Sequence, residues 1–132
     1  MDNRIKANIA IAAGVTVAFL HKGKGSKKEL KIKDVAIVKV NFPGADFWLQ
    51  RRGSKQTVGQ VSRQYSNPED IGVKIKSEYL SMIDPSYMSY MFEYLFNQGL
   101  FSNLAHGTLN LKNIRIEDIK NIPLSLGSSN IV

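Results

Sequence analysis

Residues 84–99 read DPSYMSYMFEYLFNQG, and this stretch contains the start, the body and the end of one helix. Asp84 is a good N-cap, and Pro85 suits the first helical position. Gly99 is a residue that typically follows the end of a helix. Two apolar series recur at helical spacing: Tyr87, Met91, Tyr94 and Leu95, and Met88, Phe92 and Phe96. The apolar face is therefore wide, which predicts a helix packed against a sheet.

Alternating apolar residues on both sides of this helix predict strands. Before it, they indicate strands at residues 30–40, 47–50, 57–65 and 71–75, with a turn at 41–46; the apolar run 7–20 is predicted as core β structure. After it come a predicted strand at 110–116, a helical turn at 117–120 and a strand or extended segment at 121–126. We therefore predict an α+β, mostly β domain at 1–132, with one main helix (about 84–98) packed on a twisted sheet.

The composition excludes several classes of protein. Hydrophobic residues make up 43% of the chain and charged residues 22%, which excludes global disorder. There is no cysteine, so a disulfide scaffold and a thiolate nucleophile are excluded. The apolar run 7–20 is too short for a bilayer span and is followed by basic residues and no cleavage motif, so we expect a cytoplasmic protein.

The net charge of +7 is unevenly distributed along the chain. Residues 1–66 hold thirteen Lys and Arg against four Asp and Glu, whereas residues 67–132 hold five against seven. This asymmetry favours a polyanionic partner, nucleic acid first and an anionic membrane second. The basic amphipathic helix that a membrane binder needs is missing from the pattern, so no membrane partner is expected.

Catalytic and metal-binding patterns are weak. His21 and His106 are the two histidines, and neither has a second ligand at metal-binding spacing. Asp84 with Asp118-Ile119-Lys120 matches a nuclease-like arrangement, but that pattern is too permissive to carry a prediction. We therefore expect no catalytic residue, no metal and no cofactor.

Two basic loops are better candidates, because Lys and Arg side chains bind phosphates and Arg and Gln read base edges. The first is a predicted mobile loop at 21–28, and the second follows the strand at 47–50; a flexible tail is predicted at 127–132. The candidate DNA-binding residues are Lys22, Lys24, Lys27, Lys28, Gln50, Arg51, Arg52, Ser54, Lys55 and Gln56, with Arg63 in the next strand. A merely solvated hairpin tip is the alternative for the second loop.

The aromatic residues bear on the kind of nucleic acid. Six of them lie in or just after the main helix, where core positions are expected: Tyr87, Tyr90, Phe92, Tyr94, Phe96 and Phe101. Single-strand binders instead place exposed aromatics on a basic face for base stacking. The sequence therefore favours duplex DNA, with Phe47 and Tyr65 left open as stacking residues.

Four segments, taken in order, resemble the target recognition domain of type I restriction-modification DNA specificity (S) subunits. They are FWLQRRGSKQTVGQV at 47–61, a short strand near 71–75, DPSYMSYMFEYL at 84–95, and HGTLNLKNIRIEDIKNIPLSL at 106–126. The resemblance implies sequence-specific contact with double-stranded DNA through loops of an α/β globule. It also adds His106, Thr108 and Asn110, around the second Gly turn, to the candidate DNA-binding residues.

The chain departs from that family in one respect. A full S subunit has two such domains separated by long helices that dock methyltransferase subunits, and no helical spacer follows Pro123 here. We therefore predict a stand-alone, non-enzymatic double-stranded DNA-binding domain that coats, organises or regulates DNA. A homodimer and a viral or mobile-element origin stay open. The alternative is a protein-interaction module that modulates a restriction or other DNA-processing enzyme.

Overall fold

A computed structural model describes residues 29–125 of the chain. The elements follow in this order: α1 (Ile32–Val35), β1 (Ala36–Val40), β2 (Phe47–Leu49), β3 (Arg52–Gly53), β4 (Val61–Ser62), β5 (Ile71–Ile75), a 3-10 helix (Ser77–Tyr79), α2 (Pro85–Asn97), α3 (Leu100–Leu104), β6 (His106–Gly107), β7 (Lys112–Asn113) and α4 (Ile116–Lys120). The α+β class predicted from the sequence is confirmed.

The major sheet has the strand order β1-β5-β2-β4, and its pairs are antiparallel. Val73 in β5 lies opposite both Val38 in β1 and Phe47 in β2, so the three strands bury one shared apolar row. Gly72 pairs with Trp48, and a Cβ at Gly72 would lie 2.8 Å from side-chain atoms of the 41–46 turn. The glycine therefore lets that turn fold against the strand.

Helix α2 packs on this sheet as the sequence predicts. The Asp84 carboxylate accepts a hydrogen bond from the Ser86 amide at 3.2 Å, and Gly99 ends the helix with φ +84°. Phe92 is fully buried, and its ring centroid lies 5.2 Å from that of Phe47 and 5.9 Å from that of Phe101. These ring contacts join α2, β2 and α3 in one core.

A minor sheet has the strand order β3-β7-β6. Each strand contributes only two residues, so this short sheet links two loops and does not form a layer of the core. It forms because residues 52–53 and 106–107 both pair with residues 112–113. The pairing places the segments after β2 and after α3 side by side.

Several predicted strands are shorter in the structure. The 30–40 segment begins with α1, in which the Asp34 carboxylate accepts a hydrogen bond from the Lys31 amide. Residues 55–59 form turns, and only 61–62 of the 57–65 segment pair as a strand. In the 110–116 segment only 112–113 are in a strand, whereas the helical turn near 117–120 is confirmed as α4.

Some of the remaining predictions concern residues that the structure describes, and others concern residues outside them. Phe92 and Phe101 are core residues, but Tyr90 is 61% exposed, so it was wrongly placed in the core. The apolar run 7–20, the basic loop 21–28 and the tail 127–132 lie outside the described residues. Within residues 29–125, no helix has the length and apolarity needed to cross a bilayer.

Candidate nucleic-acid interface

The minor sheet joins the two Gly-containing turns that the sequence identified separately. We call the segments 50–57 and 106–113 together the paired-loop surface. The Lys55 amide donates to the Leu109 carbonyl oxygen at 2.9 Å, and the Ile114 amide donates to the Arg51 carbonyl oxygen at 3.0 Å. Residues 54 and 63 positions apart in sequence therefore lie on one surface, beyond the end of strand β2.

The first loop is shaped by hydrogen bonds between its own polar groups. The Gln50 side-chain amide donates to the Arg52 carbonyl oxygen at 2.8 Å and to the Thr57 hydroxyl at 3.1 Å. The Thr57 hydroxyl also accepts from the Ser54 amide at 3.0 Å. A Cβ at Gly53 would collide with the Gln50 amide nitrogen and the Thr57 hydroxyl, so a larger residue here would displace these two side chains. Gln50 and Ser54 therefore hold the loop in shape.

The cations of the first loop differ in exposure. Arg52 is exposed and forms an ion pair with Glu69 at 3.1 Å, both side chains being more than half exposed. Such an exposed pair contributes little to stability in water. Lys55 and Gln56 are exposed, and Lys55 forms no ion pair with another described residue. These three side chains face solvent on one loop.

Arg51 is less exposed than Arg52 and Lys55. The residue is half-buried, and its buried Nε has no hydrogen-bond partner among the described residues. The pKa of the nearby Asp70 carboxyl is raised, mainly by burial and also by the charge of Glu69, although a backbone hydrogen bond from Arg51 partly opposes the shift. Arg51 is therefore less available to a ligand than Arg52 or Lys55.

The second loop, 106–113, is anchored at one end and exposed at its tip. His106 Nε2 lies 3.3 Å from an Asp118 carboxylate oxygen, and the same oxygen accepts from the Arg115 amide at 3.0 Å. Thr108 and Asn110 are exposed at the tip. His106 is thus directed toward α4, while Thr108 and Asn110 lie on the outer part of the paired-loop surface.

Sequence reasoning missed three residues of this loop. Leu109 and Leu111 are 61% and 77% exposed, although the alternating pattern predicted a strand that would bury Leu111. Lys112 pairs with Gly53 in the minor sheet and adds a cation beside the tip. No local signal marks these three residues, because the alternating pattern of 110–116 is typical of a buried strand as well as of this hairpin.

The side chain of Arg63 makes its contacts with helix α2 and not with the paired-loop surface. Its Nε donates to the Ser89 hydroxyl at 3.2 Å, and its Nη2 donates to the Glu93 carboxylate at 3.3 Å. The guanidinium carbon also lies 4.5 Å above the ring centroid of Tyr90. All three partners are on α2, so the guanidinium group is directed to that helix. Lys22, Lys24, Lys27 and Lys28 lie outside the described residues.

Comparison with known proteins gives one informative likeness. No protein-family model and no curated protein matches the sequence. The crystal structure of the S subunit of a type-I restriction-modification system from M. genitalium is similar, with a TM-score of 0.50 and 15% sequence identity. The fold is S-subunit-like. The match covers 72% of this chain and 33% of that chain, so this chain spans about a third of that S subunit.

Within the S-subunit-like fold, the acidic residues of the nuclease-like pattern have structural partners. Asp84 caps α2, and the Asp118 carboxylate accepts a hydrogen bond from the amide of Arg115, the N-cap of α4, and contacts His106. Among residues 29–125, no group of three or more His, Cys, Asp or Glu side chains is close enough together to hold a metal ion.

Proposed function

We propose that this protein binds double-stranded DNA through the paired-loop surface, without catalysing a reaction on it. The observation that carries the proposal is the joining of two Gly-containing loops by the minor sheet and the Lys55–Leu109 hydrogen bond. It presents cations and amide side chains together on one exposed surface. The S-subunit-like fold supports the same conclusion, because that S subunit belongs to a restriction-modification system.

The side chains divide into three roles under this proposal. Arg52, Lys55 and Lys112 bind phosphate oxygens, which sets register and affinity. Gln56, Thr108 and Asn110 are exposed and have the donor and acceptor groups that read base edges. Gln50, Arg51, Ser54 and His106 support the loops, while Lys22, Lys24, Lys27, Lys28 and Arg63 stay proposed as further DNA contacts.

A duplex is favoured over a single strand by the aromatic residues. Phe47 is fully buried and Trp48 is 6% exposed, so neither offers a ring face for a base. Among the described residues, the exposed aromatic side chains are Tyr65 and Tyr90. Tyr65 packs against Trp48 and Tyr90 carries the Arg63 guanidinium, so neither ring lies open on the paired-loop surface.

The first test is the salt dependence of duplex binding, measured by fluorescence anisotropy with random-sequence duplexes. We expect Lys55→Gln to weaken binding severalfold and to reduce the slope of log K against log salt by about 0.9, the contribution of one phosphate contact. Lys33→Gln is the matched control, because Lys33 is exposed on α1 and forms no ion pair with another described residue. Failure of the unaltered protein to bind duplex even at low salt would refute the proposal.

Sequencing of the duplexes retained from the random pool separates specific recognition from general coating. An enriched motif is expected if Gln56, Thr108 and Asn110 read bases, and uniform retention would assign the protein to coating or organising DNA. The alternative function, a protein-interaction module that modulates a DNA-processing enzyme, predicts co-purification with a protein partner that survives nuclease treatment. Sedimentation of the DNA complex gives its stoichiometry and tests the proposed homodimer, and imaging of the tagged protein tests the proposed cytoplasmic location.

A further inference from the structure

Two leucines project from the tip of the second loop. Leu111 is 77% exposed and Leu109 is 61% exposed, and no described large hydrophobic residue is more exposed than Leu111. Both belong to the four-residue segment 108–111 that closes the β6–β7 hairpin. Exposed leucines at such a position cost solvation free energy in the unbound protein, so they are candidates for burial in a partner.

The backbone holds this tip in one place. The Leu111 amide donates to the Thr108 carbonyl oxygen at 3.3 Å, and the Leu109 carbonyl accepts from the Lys55 amide at 2.9 Å. Gly107 has φ +116°, and a Cβ there would collide with the Leu111 carbonyl oxygen. The leucines are therefore presented on a closed hairpin that the opposite loop supports.

The surroundings of the tip favour nucleic acid as the partner. Lys112 follows Leu111 directly, and Lys55 stands on the supporting loop. Lys55 is exposed and Lys112 is half-buried, and neither lysine is neutralised by an ion pair with another described residue. Cations close to an apolar tip match the phosphate groups that flank a stacked, apolar base step.

We propose that Leu109 and Leu111 form an apolar wedge that inserts between adjacent base pairs of the bound duplex and kinks it. This inference rests on the proposed function and specifies how the paired-loop surface engages DNA. Partial unstacking by Leu and similar side chains bends DNA by tens of degrees and unwinds it locally. The energy of the kink depends on the step, so the wedge favours pyrimidine–purine steps, which unstack most easily.

The test measures the linking number of a plasmid relaxed by topoisomerase I in the presence of saturating full-length protein. We expect the recovered plasmid to be underwound. The double variant Leu109→Ser/Leu111→Ser should leave the linking number unchanged and bind duplex roughly tenfold to a hundredfold more weakly. Leu109→Met/Leu111→Met keeps an apolar wedge and should retain the unwinding. Leu80→Ser, which alters a leucine that is 50% exposed outside the paired-loop surface, is the matched control.

The outcomes separate this inference from the proposed function. If the unaltered protein binds the plasmid but leaves its linking number unchanged, or if the serine variant unwinds as strongly, the wedge is refuted while duplex binding stands. If the unaltered protein does not bind the plasmid, both proposals fail. If the serine variant converts a dimer to a monomer in sedimentation without any effect on linking number, the leucines cover a second copy and the wedge is refuted.

Discussion

Replacing Gly107 with alanine alters the point where the β6–β7 hairpin closes. Gly107 has φ +116°, a conformation that residues with a Cβ rarely adopt. The added methyl group would also collide with the Leu111 carbonyl oxygen. Because Gly107 pairs with Lys112, and Lys112 also pairs with Gly53, the substitution disturbs the joint between the two loops.

The size of the effect follows from where β6 lies. Backbone strain at a positive φ costs about 1–3 kcal/mol, and the hairpin can relieve the collision by opening. Strand β6 is at the edge of the minor sheet and His106 and Gly107 are exposed, so the core need not move. We therefore expect Gly107→Ala to lower the free energy of unfolding by about 1–3 kcal/mol and Tm by roughly 3–12 °C.

Two assays check this expectation on the same variant. Thermal unfolding followed by circular dichroism gives the change in Tm. Duplex affinity, measured by anisotropy, should weaken by more than tenfold, because the pairing of β3, β7 and β6 holds the two loops of the paired-loop surface together. Gly44→Ala is the matched control, since a Cβ at Gly44 meets no atom within 4 Å and its φ is not positive. A Gly107→Ala protein that matches the Gly44→Ala protein in both Tm and duplex affinity would refute the described hairpin geometry.

Two further predictions concern the core and helix α2. Phe92→Ala should lower the free energy of unfolding, measured by urea titration, by about 3–5 kcal/mol, because the fully buried ring contacts Phe47 and Phe101. A decrease no greater than that caused by Phe96→Ala, at a half-buried position, would contradict this prediction. Burial raises the pKa of Tyr87 to about 12, and its buried hydroxyl has no hydrogen-bond partner among residues 29–125. The unfolded chain ionises Tyr87 near its ordinary pKa of 10, so folding stability should fall as the pH rises from 10 to 12. Tyr87→Phe should therefore be neutral or stabilising by up to about 1 kcal/mol at pH 7, and its free energy of unfolding should fall less between pH 10 and 12. Exposed Tyr90→Phe is the control and should change neither value. An equal fall in the free energy of unfolding in Tyr87→Phe and the unaltered protein would count against this pKa.

Helix α2 could be predicted from the sequence because its determinants are local. Asp84 caps the first turn, Pro85 fits the first position, and Gly99 supplies the positive φ at the end. Each of these acts within a few residues of the helix terminus. The predicted bounds of 84–98 therefore differ from Pro85–Asn97 by one residue at each end.

Strand lengths were less accessible because tertiary contacts decide them. Residues 30–40 alternate like a strand, yet α1 forms at Ile32–Val35, and the Ile32 amide donates to the Ile122 carbonyl oxygen. Residues 57–60 alternate as well, but the loop hydrogen bonds to Thr57 and Gln50 fold them into turns. The partner of Ile32 is far away in sequence, whereas the partners of 57–60 lie within the same loop, and in both segments these hydrogen bonds override the alternating pattern.

The candidate site was predicted as two loops, but their joining was not. Gly53 and Gly107 mark turns that can be read locally, whereas the pairing of both with Lys112 is a long-range choice of register. The same pairing exposes Leu109 and Leu111, because it confines the strand to Lys112–Asn113 and leaves the leucines on the hairpin tip. A periodic pattern cannot distinguish that tip from a buried strand.

The charge of the chain bears on how the paired-loop surface would hold DNA. Residues 29–125 contain twelve Lys and Arg against ten Asp and Glu, whereas residues 1–28 contain six against one. Arg52, Lys55 and Lys112 would together neutralise about three phosphates, for a salt slope of roughly −3. Adding Lys22, Lys24, Lys27 and Lys28 would raise the number of contacts to about seven and give a slope near −6. A measured slope near −3 would therefore assign phosphate binding to the paired-loop surface alone. A slope near −6 would divide the roles instead, with the lysines of 21–28 supplying affinity that does not depend on sequence and the paired loops supplying position and base contacts.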